Sequence, residues 1–209
     1  MTEDSTIPGS VRPGGRTARV RAAVLAVTGD LLAERGFAHL DLAEVAQRAE
    51  VGKTTVYRRW RTPTGLIADL LVDMAEALGP RVETGSLLGD LTAIARLAAK
   101  TLTDPREGRL IGAVIAAATC DESTAAALRR FYDARLTEWS GCVTDAIARG
   151  EVPPGTDPRA VLTAVTGPLY YRRLVSGDPI DDFATRTAAE SVAETARRGG
   201  FVRDPEPGR

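Results

Sequence analysis

Residues Val51 to Trp60 read VGKTTVYRRW, a run whose residue types suit two kinds of phosphate chemistry. Gly-Lys-Thr ends a nucleotide-binding loop, whereas the basic and aromatic half suits a nucleic-acid backbone. The loop requires G-x-x-x-x-G-K-[ST] between a buried strand and a helix. Counting back from Gly52, its first glycine falls at residue 47, which is Gln47. The preceding DLAEVAQRAE has the spacing of a helix, so both residue type and context argue against a nucleotide site. A duplex fits better. Lys53, Thr54 and Thr55 are polar and let a helix N-terminus approach closely. A threonine hydrogen-bonds a base edge or touches a thymine methyl. Tyr57 extends a hydroxyl towards phosphate, and Arg58, Arg59 and Arg61 supply charge to the backbone.

Such residues need a rigid short helix beneath them. A first helix is expected from Thr17 to Arg35, with Val20, Ala23, Val24, Val27 and Leu31 in helical register and Gly36 as its stop. Phe37 and Leu40 turn inward. Asp41 with Glu44 forms a capping box for a second helix whose apolar face is Leu42, Val45, Ala46 and Ala49. After the turn at Glu50-Val51-Gly52, a third helix covers Lys53 to about Arg59. Val51, Val56 and Trp60 are expected in the core. Thr62 and Pro63 start a fourth helix, which reaches about Leu78 before Gly79-Pro80. Two short helices joined by a tight turn after a longer one make a helix-turn-helix, whose second short helix enters the major groove.

The rest reads as helices near 86–103, 105–119, 122–149, 158–176 and 180–198, with no convincing strand. Asp104-Pro105, Asp157-Pro158 and Asp121 mark starts, and Pro168 should kink its helix. Asp181 and Asp182 are N-terminal helix charges, since adjacent residues do not face one another. The fold class is therefore all-α, with about nine helices. Residues 1–16 and 201–209 read as tails, 17–61 as the helix-turn-helix domain, and 62–200 as a second helical domain.

The balance of charges is local. Residues 1–61 hold ten Arg or Lys against seven Asp or Glu, +3; residues 62–209 hold 17 against 21, −4. A small basic footprint thus sits on an acidic body. No run of 18 apolar residues suggests a membrane span, and the N-terminus lacks a secretory pattern. With only two cysteines, Cys120 and Cys142, and one histidine, His39, no disulfide framework, metal cluster or cofactor site is expected. Both thiols are expected to be buried and inert, His39 to lie in a surface loop, and the chain to be cytoplasmic. No catalytic constellation emerges.

The run LDLAEVAQRAEVGKTTVYRRWRTPTGLIADLL resembles the DNA-binding region of the TetR family of bacterial regulators, across about residues 17–75. Gly36-Phe37, Ala46, VGKTTVYRRW and the helix after it carry the likeness. TGPLYYRRLVSGDPI, residues 166–180, resembles the penultimate helix of one subgroup. Two positions depart from the pattern. Glu50 replaces the usual turn glycine, at a cost on the order of 1 kcal/mol if φ is positive. Pro63 replaces a frequent phosphate-binding lysine, leaving Arg61 or Thr64 to serve.

The resemblance implies a DNA-binding transcriptional regulator, not an enzyme. It implies a repressor that binds a two-fold, palindromic double-stranded operator as a homodimer and is released by a small-molecule effector. An activator begins with the same DNA contact. A nucleotide-dependent enzyme and a protein-interaction module are the competing functions. Arg16, with Arg19 and Arg21, would approach phosphate from the first helix, and Arg12 could reach a minor groove. The expected dimer face is Val161, Leu162, Val165, Leu169, Tyr170 and Leu174, with Phe183, Val192 and Ala196 from the last helix and Gly167 allowing close approach. An effector pocket is implied within helices 86–149, for which Arg96, Thr101, Thr119, Phe131, Tyr132, Trp139 and Cys142 are candidates. A mostly apolar lining favours a hydrophobic or aromatic ligand.

Overall fold

The computed structural model describes residues 15–77, 81 and 83–203. Among them are nine α-helices: α1 Gly15–Arg35, α2 Leu42–Arg48, α3 Lys53–Trp60, α4 Pro63–Glu76, α5 Leu87–Thr103, α6 Glu107–Ala118, α7 Glu122–Ala148, α8 Pro158–Tyr171 and α9 Asp182–Arg197. The only extended pairing among the described residues is an isolated antiparallel bridge between Thr156 and Val202. The expected tail arginine Arg12 and the Gly79-Pro80 stop lie outside the described residues. No described helix is long and apolar enough to cross a membrane.

Local signals set most boundaries. Helix α1 buries Val24, Leu25, Leu31 and Leu32, then stops where Gly36 adopts φ 75° and donates its N–H to the Leu32 carbonyl. Asp41 accepts from the N–H groups of Ala43 and Glu44 and so caps α2. The other half of the expected capping box is not made: the Glu44 carboxylate pairs with Arg35 and Arg48, each at 3.0 Å. Glu50 takes φ 55°, the conformation for which glycine is the unstrained choice. Asp104 accepts from Arg106 and Glu107, so α6 starts at Glu107, two residues later than expected. Helix α8 runs through Pro168 and ends at Tyr171. A wider π-type turn, Arg172–Ser176, follows it and closes at Gly177, φ 73°. Residues 201–203, assigned to a tail by sequence, instead pair with 155–157: the Asp157 N–H donates to Phe201 and the Arg203 N–H to Gly155.

Two apolar clusters organise the molecule. One joins α5, α8 and α9 with the second half of α7. The other joins α1–α4 with Leu110, Val114 and Ala117 of α6 and Ala127 and Phe131 of α7. Helix α5 packs against both α8 and α9, and this corrects the expected dimer face. Val161, Leu162, Val165 and Leu169 are fully buried in this chain's own core, and Val192 and Ala196 are buried with them. That stripe is the inward one. Phe183 and Leu174 are exposed, together with Tyr171 and Val175, while Tyr170 is half-buried.

The α3–α4 junction is closely packed. Thr62 caps α4 by accepting from the Gly65 N–H at 3.1 Å, with Pro63 in the first turn. A Cβ on Gly65 would stand 2.4 Å from the Trp60 carbonyl oxygen. Glycine-to-alanine changes inside helices ordinarily stabilise. Here the clash with backbone reverses the sign, and Gly65→Ala should cost about 1–3 kcal/mol in urea unfolding. A neutral or stabilised variant would mean that the junction is looser than described.

Candidate nucleic-acid interface and internal cavity

Helix α3 divides cleanly. Val56 and Trp60 are buried, Thr55 is half-buried, and Lys53, Thr54, Tyr57, Arg58 and Arg59 are exposed, as is Arg61 just beyond the helix. Packing thus takes one edge and leaves the polar edge to solvent. Arg16, Thr55, Arg58 and Arg59 come together in an open cleft of about 410 Å³ between the start of α1 and α3. Glu50 also lines it, so one acidic group sits among the bases. Lys53, Thr54, Tyr57 and Arg61 lie outside that cleft. Arg19 is exposed, and so is His39, in a 3-10 turn.

Beneath this face lies a group that the sequence reading missed. Asp69 of α4 accepts from Arg21 of α1 at 2.8 Å and from the Trp60 indole N–H of α3, also at 2.8 Å. Arg21 also pairs with Asp73 at 2.5 Å, so it is an internal strut and not a phosphate contact. Arg59 is partly drawn inward, 3.9 Å from Asp69 and 5.1 Å from the Trp60 ring centroid. Burial alone would raise the Asp69 pKa. The hydrogen bonds from Arg21 and Trp60 and the two guanidinium charges outweigh it and hold the carboxyl below its usual range. The available signal was an acid set among the apolar Leu66, Ile67, Leu70 and Leu71.

The body encloses a cavity of about 50 Å³ among α4–α8. Of the expected ligand residues, Thr101, Phe131, Tyr132 and Trp139 line it. Arg96 and Thr119 are exposed and do not; Cys142 is buried in the core beside Val143, its thiol pushed up to about 11 by burial. Cys120 is exposed, which corrects the expectation of two buried thiols. The reading missed Met74 of α4, Arg135 of α7, and Thr166 and Tyr170 of α8 at the cavity. Met74 packs against both apolar clusters, so the helix that carries Asp69 also touches the cavity.

A basic second helix of a helix-turn-helix, mounted on a helical body, defines a DNA-binding regulator. Residues 24–70 match the bacterial regulatory proteins of the tetR family, and residues 81–192 match the tetracyclin repressor-like C-terminal domain. The HTH-type transcriptional regulator YdeS of Bacillus subtilis is 33% identical, over 78% of this chain and 83% of its own. The DNA-binding transcriptional repressor TetR of Mycobacteroides abscessus is 32% identical, over 77% and 85% respectively. The crystal structure of the TetR family transcription regulator SCO0332 superposes with a TM-score of 0.67 at 28% identity, over 84% of this chain and 97% of that one. The chain belongs to the TetR family of helix-turn-helix transcriptional regulators.

Because the folded Asp69 pKa is depressed, its contribution to stability is complete at neutral pH and is lost as pH falls through the depressed value. Asp69→Asn should unfold about 1–2 kcal/mol more easily at pH 7, the partial solvent access of Arg21 and Asp69 keeping the loss below that of a deeply buried pair. The gap from the parent should narrow as urea titrations move to acid. An equal gap at pH 7 and below pH 3 would show that the carboxylate charge is not what ties α1, α3 and α4 together.

Proposed function

We propose that the chain is a repressor that binds a palindromic operator as a homodimer and leaves it when a small ligand occupies the internal cavity. The observation that carries this is the double attachment of α4. Asp69 holds it to Arg21 and to Trp60 of the reading helix, and Met74 places it at the cavity wall. A ligand that favours one α4 position over another therefore biases the placement of α3. Likeness to the Mycobacteroides abscessus repressor favours repression. Lys53, Thr54, Thr55 and Tyr57 address bases and the nearest phosphates, and Arg16, Arg58, Arg59 and Arg61 the backbone.

One helix of eight residues reads only a few base pairs, so a two-fold pair is needed for useful specificity. The surface offered to a partner copy is the outer side of α8, its following turn and α9. Gly167, Tyr171, Leu174, Val175 and Phe183 are exposed there. Phe183 is 62% and Val175 69% exposed, large apolar groups that a monomer would leave in water.

Operator selected from a random duplex pool provides the probe. Thr55→Ala and Tyr57→Phe should each weaken binding by about 1 kcal/mol in fluorescence anisotropy, with the dimer intact. Arg58→Ala should weaken all sequences alike and lower the salt slope by about one. Parent-like binding by all three would remove α3 from the contact. A ligand that occupies the body yet leaves operator affinity unchanged would remove the proposed coupling.

A further inference from the structure

The cavity holds a cation with no anion. Arg135 lies on α7 between Phe131 and Trp139, one turn to either side, and its guanidinium carbon is 5.7 Å and 4.5 Å from their ring centroids. The charge therefore rests on aromatic faces. No ion pair or hydrogen bond among the described residues includes Arg135, and no carboxylate lines the cavity. Phe131 and Trp139 are buried, so the site is poorly hydrated, and desolvation lowers the Arg135 pKa. Nearby stands a second unused group. The Tyr132 hydroxyl is buried and makes no hydrogen bond of normal geometry; its one polar neighbour is the Tyr170 hydroxyl, the two rings 5.8 Å apart. Burial pushes both phenols upward, so at neutral pH they remain donors and not competing anions.

An unpaired guanidinium beside two buried phenols, in a mostly apolar enclosure, is a receptor for one anionic group on an apolar body. We infer that the effector is a compact aromatic carboxylate, with its carboxylate on Arg135 and the Tyr132 hydroxyl and its ring against Trp139 and Phe131. This rests on reading the cavity as the effector site. The cavity of about 50 Å³ has room for roughly three to five waters, which is the bulk of a single ring and not of a multi-ring body. An anion here also completes a contact for Arg135 on the helix that packs against α4. Occupancy is thereby felt by the helix that holds the reading helix.

Isothermal titration of the full-length protein without DNA tests this, with benzoate, phenylacetate and cinnamate as probes and their three amides as neutral counterparts. At least one carboxylate should bind about tenfold or more tightly than its amide. Arg135→Gln should abolish that preference and leave amide binding within about twofold, and Arg135→Lys should restore part of it. Tyr132→Phe should weaken the carboxylate more than the amide, whose carbonyl accepts a weaker hydrogen bond. Arg130→Gln, an exposed arginine on the same helix outside the cavity, should behave as the parent. Thermal melts of each variant separate lost binding from lost folding. Equal affinity for carboxylates and amides, indifference to Arg135→Gln in a folded variant, or no carboxylate bound at millimolar concentration would each overturn the inference. A neutral ligand that fills the cavity and releases operator would overturn it and leave the regulatory reading standing. A carboxylate that binds through Arg135 without releasing operator would do the reverse.

Discussion

The placement of α3 depends on one carboxylate. Helix α3 has eight residues, far fewer than an isolated helix needs to persist in water. Its order comes from what it packs on. Val56 and Trp60 bury its inner edge, and Asp69 takes the one polar atom that Trp60 carries inward. The same carboxylate receives Arg21 from α1, so three helices meet at a single acceptor group. An indole N–H and a guanidinium left there without an acceptor would each carry a desolvation penalty. The arrangement thus ties α3 to α4, and the exposed edge with Thr54, Tyr57 and Arg58 goes where α4 goes.

The first four helices also share an apolar core with the body. Leu110, Val114 and Ala117 of α6 and Phe131 of α7 close their apolar core. Arg106 at the start of α6 reaches Asp30 of α1 at 2.6 Å. Phe131 belongs to that core and also lines the cavity, as Met74 lies between the two clusters. Close-packed interiors respond to a new occupant by shifting between discrete packings. Met74 is itself on α4, so a change at the cavity meets that helix directly as well as through Phe131. Such contiguity is a physical route for coupling, and a ligand uses it only through a difference in affinity between two α4 positions.

Much of this was legible in the sequence because local chemistry decided it. Gly36, Asp41, Thr62-Pro63, Asp121 and Asp157-Pro158 mark helix ends through hydrogen bonds made within four residues, and the structure makes them. The positive φ at Glu50, 55°, was anticipated only through the resemblance, which has glycine at that turn position. The exposed face of α3 was recoverable because Val56 and Trp60 leave only one edge for the polar residues. Faces chosen by distant packing were not recoverable. Val161, Val165 and Leu169 form an apolar stripe that suits a partner subunit as well as it suits α5, and only tertiary structure decides. Alanine-rich α5 likewise gives little clue to orientation, so Arg96 was placed at the ligand and proved exposed. Arg135 was missed for the opposite reason: an arginine on a long helix ordinarily faces solvent, and nothing local shows that Phe131 and Trp139 flank it.

The central claim is that α3, held by Asp69 and repeated by a two-fold mate, reads the major groove. Hydroxyl-radical footprinting on an operator selected by the protein addresses it most directly. The account predicts two symmetry-related protected tracts on one face of the duplex, their centres about 34–36 Å apart or a whole multiple of that. A single unpaired tract, or no protection at saturating protein, would contradict it.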